Sequence, residues 1–150
     1  MLTPGDIAPH ADVLDQDGAA FDWASLRGHP TLIFFYPRAS TPGCTQQACA
    51  LRDVSGQIGD TQVVGVSPDK PASQKKFADK NSLPYPLLAD TEHLLAEAYG
   101  VWKQKQLYGR TYLGIERSAF LIDGQGVVLH AWYKISPKDT PVKLLEALAA

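Results

Sequence analysis

Unbroken apolar runs alternate with helical periodicity along the first half of the chain. Thr31-Leu32-Ile33-Phe34-Phe35-Tyr36, closed by Pro37, is a strand-length stretch with no polar face, as expected for a strand buried on both sides of a parallel or mixed sheet. From Pro42 the period changes. Ala48, Leu51, Val54 and Ile58 recur every three or four residues, which predicts an amphipathic helix that frays at Gly56 and Gly59. Gln62-Val63-Val64-Gly65-Val66-Ser67 then reads as the next strand, completing a strand-helix-strand unit that crosses over right-handed and parallel.

The remaining pattern extends this unit on both sides. Asp17-Gly18 between Val13-Leu14 and Phe21 predicts a small edge hairpin, and Gly28-His29-Pro30 stops whatever residues 23–27 form. Pro71 opens a polar helix to about Lys80, and Asp90 caps another that packs Leu94, Leu95 and Ala98 before Gly100. Residues 101–116 have no clean period and read as a long excursion, with Trp102, Tyr108 and Tyr112 covering core edges. Ser118-Ala119-Phe120-Leu121-Ile122 and Val127-Val128-Leu129-His130-Ala131-Trp132 flank Asp123-Gly124-Gln125-Gly126, a hairpin signal in which His130 is an ordinary strand residue. A last helix from Thr140-Pro141 buries Leu144, Leu145 and Leu148. The order predicts a three-layer α/β domain with a central mixed sheet flanked by helices. It is the order of the thioredoxin fold, with an N-terminal extension and an insertion between the halves.

Composition narrows the picture. With 150 residues, 45% of them hydrophobic, one globular unit over residues 1–150 is expected. Fourteen Lys and Arg against sixteen Asp and Glu give a formal charge of −2 with no basic tract, which argues against a nucleic-acid partner. The opening Met-Leu-Thr-Pro-Gly-Asp has no cationic leader, and no stretch reaches the ~18 apolar residues of a membrane span, so a cytoplasmic location without membrane contact is expected. His10, His29, His93 and His130 stand alone, and two thiols without further ligands make a poor metal site, so neither metal nor cofactor is expected.

The two cysteines carry the chemistry. Thr41 is placed to cap a helix with Pro42 at its first position, which sets Cys44 in the first turn, where free N–H groups and the helix dipole favour an anion and hence a reactive thiolate. Cys49 follows five positions on. On one helix such a pair is separated by ~7.5 Å along the axis and roughly 8.6 Å between Cα atoms, and the two side chains point to different sides. Disulfides rarely span more than about 7 Å, so the two can be joined only when the first turn unravels. That favours a bond made and broken in a cycle over a permanent staple. Taken alone, two cysteines on such a helix could also be buried, inert thiols.

Pro37, Thr41 and Cys44 stand in a Pro-x-x-x-Thr-x-x-Cys pattern that resembles the peroxiredoxins, and Thr-Pro-Gly-Cys-Thr with a second cysteine at Cys49 is similar to their PrxQ, or bacterioferritin comigratory protein, subfamily. The resemblance extends along the chain through Phe34-Phe35-Tyr36-Pro37, Gly65-Val66-Ser67-Pro68-Asp69 and Glu116-Arg117-Ser118-Ala119-Phe120-Leu121-Ile122-Asp123. It implies that Cys44 is the peroxidatic nucleophile and Cys49 the resolving thiol, that Thr41 hydrogen-bonds the reacting sulfur and peroxide, that Pro37 shields the pocket and that Arg117 holds Cys44 as thiolate. The implied reaction reduces hydrogen peroxide and organic hydroperoxides through a Cys44 sulfenic acid and a Cys44–Cys49 disulfide, which thioredoxin re-reduces. A monomer is implied as well. The chain departs from the pattern at Gln47, where many relatives are acidic. Two rival readings are a thioredoxin-type thiol-disulfide oxidoreductase, which usually has Cys-x-x-Cys, and a redox-sensing or chaperone-like binding module.

Overall fold

The computed structural model describes residues 1–149. The first apolar run is β1, Thr31–Phe35, buried along its whole length. It pairs in parallel with β2, Gln62–Ser67, through α1, Pro42–Asp53. After α2, Pro71–Asn81, the short strand β3, Leu87–Ala89, adds in parallel outside β2. On the other side of β1 lies β6, Ser118–Ile122, antiparallel to it, and then β7, Val128–Trp132, so the sheet runs β3-β2-β1-β6-β7. This is the mixed central sheet that the element order predicts.

Alternate side chains of β1, with Tyr36 just beyond it, feed two cores. Leu32, Phe34 and Tyr36 meet Cys44, Ala48 and Leu51 of α1, Phe77 of α2, and Leu144 of α4, Asp139–Ala149. Ile33 and Phe35 face the opposite layer, where Leu95 and Ala96 of α3, Leu94–Ala98, pack with Tyr99 and Phe120. Each fully buried Leu, Ile or Phe among them contributes about 1.5–3 kcal/mol by leaving water. The two cores hold the end of β1 and the start of α1 in a fixed relation.

Several expectations need correction. Residues 101–116 are not an irregular excursion but a hairpin of β4, Trp102–Leu107, and β5, Arg110–Ile115, turning at Tyr108 and Gly109, both with positive φ. Only its base is buried, at Val101 and Ile115, so no alternation of apolar and polar positions marks the strands. Tyr108 covers no core edge: it is 97% exposed. In α3, Leu94 and Ala98 are exposed, and Leu95, Ala96 and Tyr99 are buried instead. The left-handed His93, φ 61, starts that helix, and the Asp90 carboxylate accepts from the N–H groups of Leu95 and Ala96. α1 ends at Asp53, and a 3₁₀ turn, Ser55–Gln57, carries the chain on to buried Ile58. Leu145 and Leu148 of α4 are only partly buried. Among the described residues no helix is long and apolar enough to cross a membrane.

Candidate active site

The site lies where β1 hands the chain to α1. Pro37, half-buried, ends the strand run, and a short loop with left-handed Ser40, φ 65, leads to Thr41 and the helix. A buried polar network fixes that loop. Asp69 Oδ2 accepts from the Ala39 N–H at 2.7 Å and from the Ser67 hydroxyl at 2.6 Å. Gln74 donates to Ser67 Oγ and to the Leu88 carbonyl, and its own oxygen accepts from Tyr36 at 2.5 Å. Burial pushes the Tyr36 phenol far above its ordinary value, so it serves here as a neutral donor.

Cys44 is the third residue of α1 and is only 1% exposed. The expected Thr41 side-chain cap is absent: the Thr41 hydroxyl turns back and donates to the Arg38 carbonyl at 2.8 Å, while Thr45 N–H bonds the Thr41 carbonyl. The first N–H groups of the helix therefore have no side-chain acceptor from this residue and keep their preference for an anion. Arg117 NH2 donates to Cys44 Sγ at 3.5 Å, and its NH1 donates to Gln47 Oε1 at 2.8 Å. The sheet register explains how a residue 73 positions away arrives there. Because β6 runs antiparallel to β1 with Ser118 opposite Phe35, the preceding Arg117 must lie at the end of β1 where α1 begins. Gly43 gives it room, since a Cβ there would sit 3.3 Å from the guanidinium.

Gln47 keeps the guanidinium in place without neutralising it. Its side chain is fully buried, with Oε1 on Arg117 and Nε2 donating at 2.9 Å to Thr140 Oγ1 of α4, which in turn donates to the Ser136 carbonyl. A carboxylate at this position would offset the Arg117 charge; the amide leaves the full positive charge facing the sulfur. Lys105 of β4 adds to the positive field, and burial and Arg117 push its ammonium below the usual lysine range. The sequence flags Gln47 but gives no sign of Thr140 or Lys105.

Cys49 is half-buried and faces elsewhere. Its thiol meets Asn81 Oδ1 of α2 at 3.6 Å, whereas Cys44 meets Arg117, as two residues about 140° apart around a helix must. The structure thus brings Cys44, Gln47 and Arg117 together, places Thr41 and Pro37 on the adjoining loop, and holds Cys49 on another side of α1.

A thiol held against a guanidinium at a helix start can act as a nucleophile. Comparison with known proteins says toward what. Residues 4–131 match the AhpC/TSA family model. The peroxiredoxin Bcp of Bacillus subtilis is 40% identical over 146 residues, covering 96% of this chain and 93% of that protein. The peroxiredoxin Bcp of Escherichia coli is 44% identical over 133 residues, 87% of this chain and 85% of that one. A solved structure of Xanthomonas campestris peroxiredoxin Q superposes with a TM-score of 0.89 at 30% identity, covering 98% of each chain. The class is therefore a thiol-dependent peroxidase on a thioredoxin-like sheet. The chain belongs to the AhpC/TSA family and resembles the Bcp and Q peroxiredoxins within it.

Proposed function

We propose that Cys44 is the peroxidatic thiolate and Cys49 the thiol that resolves it within the same chain. The contact from Arg117 to the buried Cys44 sulfur in the first turn of α1 is the observation that carries this reading. Cys44 Sγ attacks one peroxide oxygen, the O–O bond breaks, and the leaving oxygen takes a proton to depart as water or an alcohol, leaving Cys44 as sulfenic acid. Arg117 holds the sulfur as thiolate and, with the open N–H groups of the first turn, stabilises the negative charge that spreads onto the leaving oxygen. The Thr41 proton is committed to Arg38, so its oxygen is offered to the substrate as an acceptor for the peroxide proton. Pro37 shields the pocket from water.

The Cys49 thiol then displaces the hydroxyl from the Cys44 sulfur; an S–S bond forms, an S–O bond breaks, and water leaves with the thiol proton. Because the two side chains face different ways on one helix, α1 opens locally for this step. The dithiol of thioredoxin reduces the disulfide. Hydrogen peroxide and organic hydroperoxides are the substrates, and residues 1–150 act as one functional unit. With both thiols in one helix no second chain is required, and the protein works as a monomer in the cytoplasm.

A thioredoxin-coupled assay tests the division of labour. Cys49→Ser consumes one equivalent of peroxide in a single turnover, but its steady-state turnover falls about tenfold or more, since attack by an external thiol replaces an intramolecular one. Full coupled turnover in Cys49→Ser would show that this residue does not resolve the sulfenic acid.

A further inference from the structure

We infer that Asn81 and Arg52 form a latch that parks Cys49 on the end of α2 and so sets how fast the oxidised site closes its disulfide. The inference rests on the reading of Cys49 as the resolving thiol and adds two positioning residues to it. Asn81 is the last residue of α2 and makes three connections. Its Oδ1 accepts from the Cys49 thiol at 3.6 Å, its Nδ2 donates to the Phe77 carbonyl at 3.0 Å, and its own carbonyl accepts from Arg52 NH1 at 2.6 Å. The donation to Phe77 fixes which end of the carboxamide faces the sulfur. Arg52 is held in turn by Asp53, whose Oδ1 bonds both Nε and NH2 at 2.9 Å, and this pairing raises the guanidinium above its ordinary value. A cation on the last carbonyls of a helix also meets the negative end of its dipole. On the same side, the Tyr85 hydroxyl donates to the Ala48 carbonyl at 2.7 Å. The second half of α1 is thus fastened to residues 77–85 through bonds that touch neither Cys44 nor Arg117.

The kinetic consequence follows from the geometry. Cys49 reaches the Cys44 sulfenic acid only from conformers in which it has left Asn81, so the resolution rate scales with the population of released conformers. Resolution competes with a second peroxide, which oxidises the sulfenic acid to sulfinic acid and yields another water or alcohol. A firm latch holds Cys49 away and exposes the sulfenic acid for longer; a weak one favours the disulfide. Asn81 and Arg52 therefore set the sensitivity of the enzyme to overoxidation.

Quenched-flow mixing with hydrogen peroxide, followed by mass spectrometry of Cys44, tests this. Asn81→Ala should form the disulfide about two- to threefold faster, because a thiol is a weak donor, and Arg52→Met about tenfold faster, as its bond is charge-assisted. Under excess peroxide the sulfinic fraction should fall by matching factors while the rate of sulfenic acid formation at Cys44 stays at the wild-type value, which a general loss of stability at the site would lower. Asn81→Asp, which keeps an acceptor oxygen but loses the donation to the Phe77 carbonyl, should fall between Asn81→Ala and wild type. Disulfide formation no faster in both Asn81→Ala and Arg52→Met overturns the latch while leaving the role of Cys49 intact. Absence of any Cys44–Cys49 bond in oxidised wild type removes the resolving role and the latch together.

Discussion

Changing Cys44 to Ser lowers the second-order rate constant for hydrogen peroxide by about 10⁴-fold or more, the scale on which removal of a nucleophile acts in other enzymes. A serine hydroxyl is nearly the same size and fits the buried site, so the fold survives and circular dichroism should be unchanged. The electronics differ. A thiol ionises within reach of neutral pH and offers a polarisable anion to the O–O bond, whereas an alcohol stays protonated and its proton must be removed in the same step. Arg117 cannot make good that difference, since it can only donate. Stopped-flow consumption of peroxide is the readout, and a loss under tenfold would move the nucleophile elsewhere in the chain.

Arg117→Ala comes next in size, lowering the same rate constant by about 10²–10³-fold, as expected when a donor aimed at developing charge is removed from a water-poor site. Two effects combine. The sulfur loses the guanidinium at 3.5 Å, and the transition state loses a donor for its leaving oxygen. If Arg117 acted only by ionising the thiol, the loss in rate would match the loss in thiolate fraction read from ultraviolet absorbance; an excess of rate loss marks the transition-state share. The substitution also strands Gln47 Oε1, which is fully buried and accepts from Arg117, at a cost of about 1–3 kcal/mol in stability. Arg117→Lys restores only part of the rate, because one ammonium cannot bond Cys44 and Gln47 with the fork geometry of a guanidinium. Equal losses in rate and thiolate fraction would confine Arg117 to ionisation.

Local patterning made the helix start at Pro42 and the position of Cys44 in its first turn readable, because strand, turn and helix follow one another there within a dozen residues. The parallel β1-α1-β2 unit and the β6–β7 hairpin are readable for the same reason, whereas the place of β6 beside β1 and the three-residue β3, too short to show a period, are not. The β4–β5 hairpin is hidden because it is buried only at its base and its half-buried positions include Lys103 and Lys105, so no apolar stripe marks the strands. Nothing in the local pattern around Arg117 points to the site; only the resemblance to the peroxiredoxins does, and the physical reason for its placement is the register of β6 against β1, a pairing that links residues more than eighty positions apart. The partners of Gln47 and Cys49, Thr140 and Asn81, were illegible because each meets its cysteine-bearing helix from a different segment of the chain. Thr41 shows the limit of local rules, since its hydroxyl could cap the helix but instead bonds the Arg38 carbonyl.

If one buried sulfur strikes peroxide and is then captured from within its own helix, one equivalent of oxidant must mark two residues of one chain. Reduced wild-type protein treated with one equivalent of hydrogen peroxide and examined by non-reducing intact-mass and peptide mass spectrometry shows whether it does. The expected result is loss of two hydrogens per chain, with Cys44 and Cys49 recovered in one disulfide-linked peptide of a monomer. An unmodified Cys44, or a disulfide found only between chains, would contradict it.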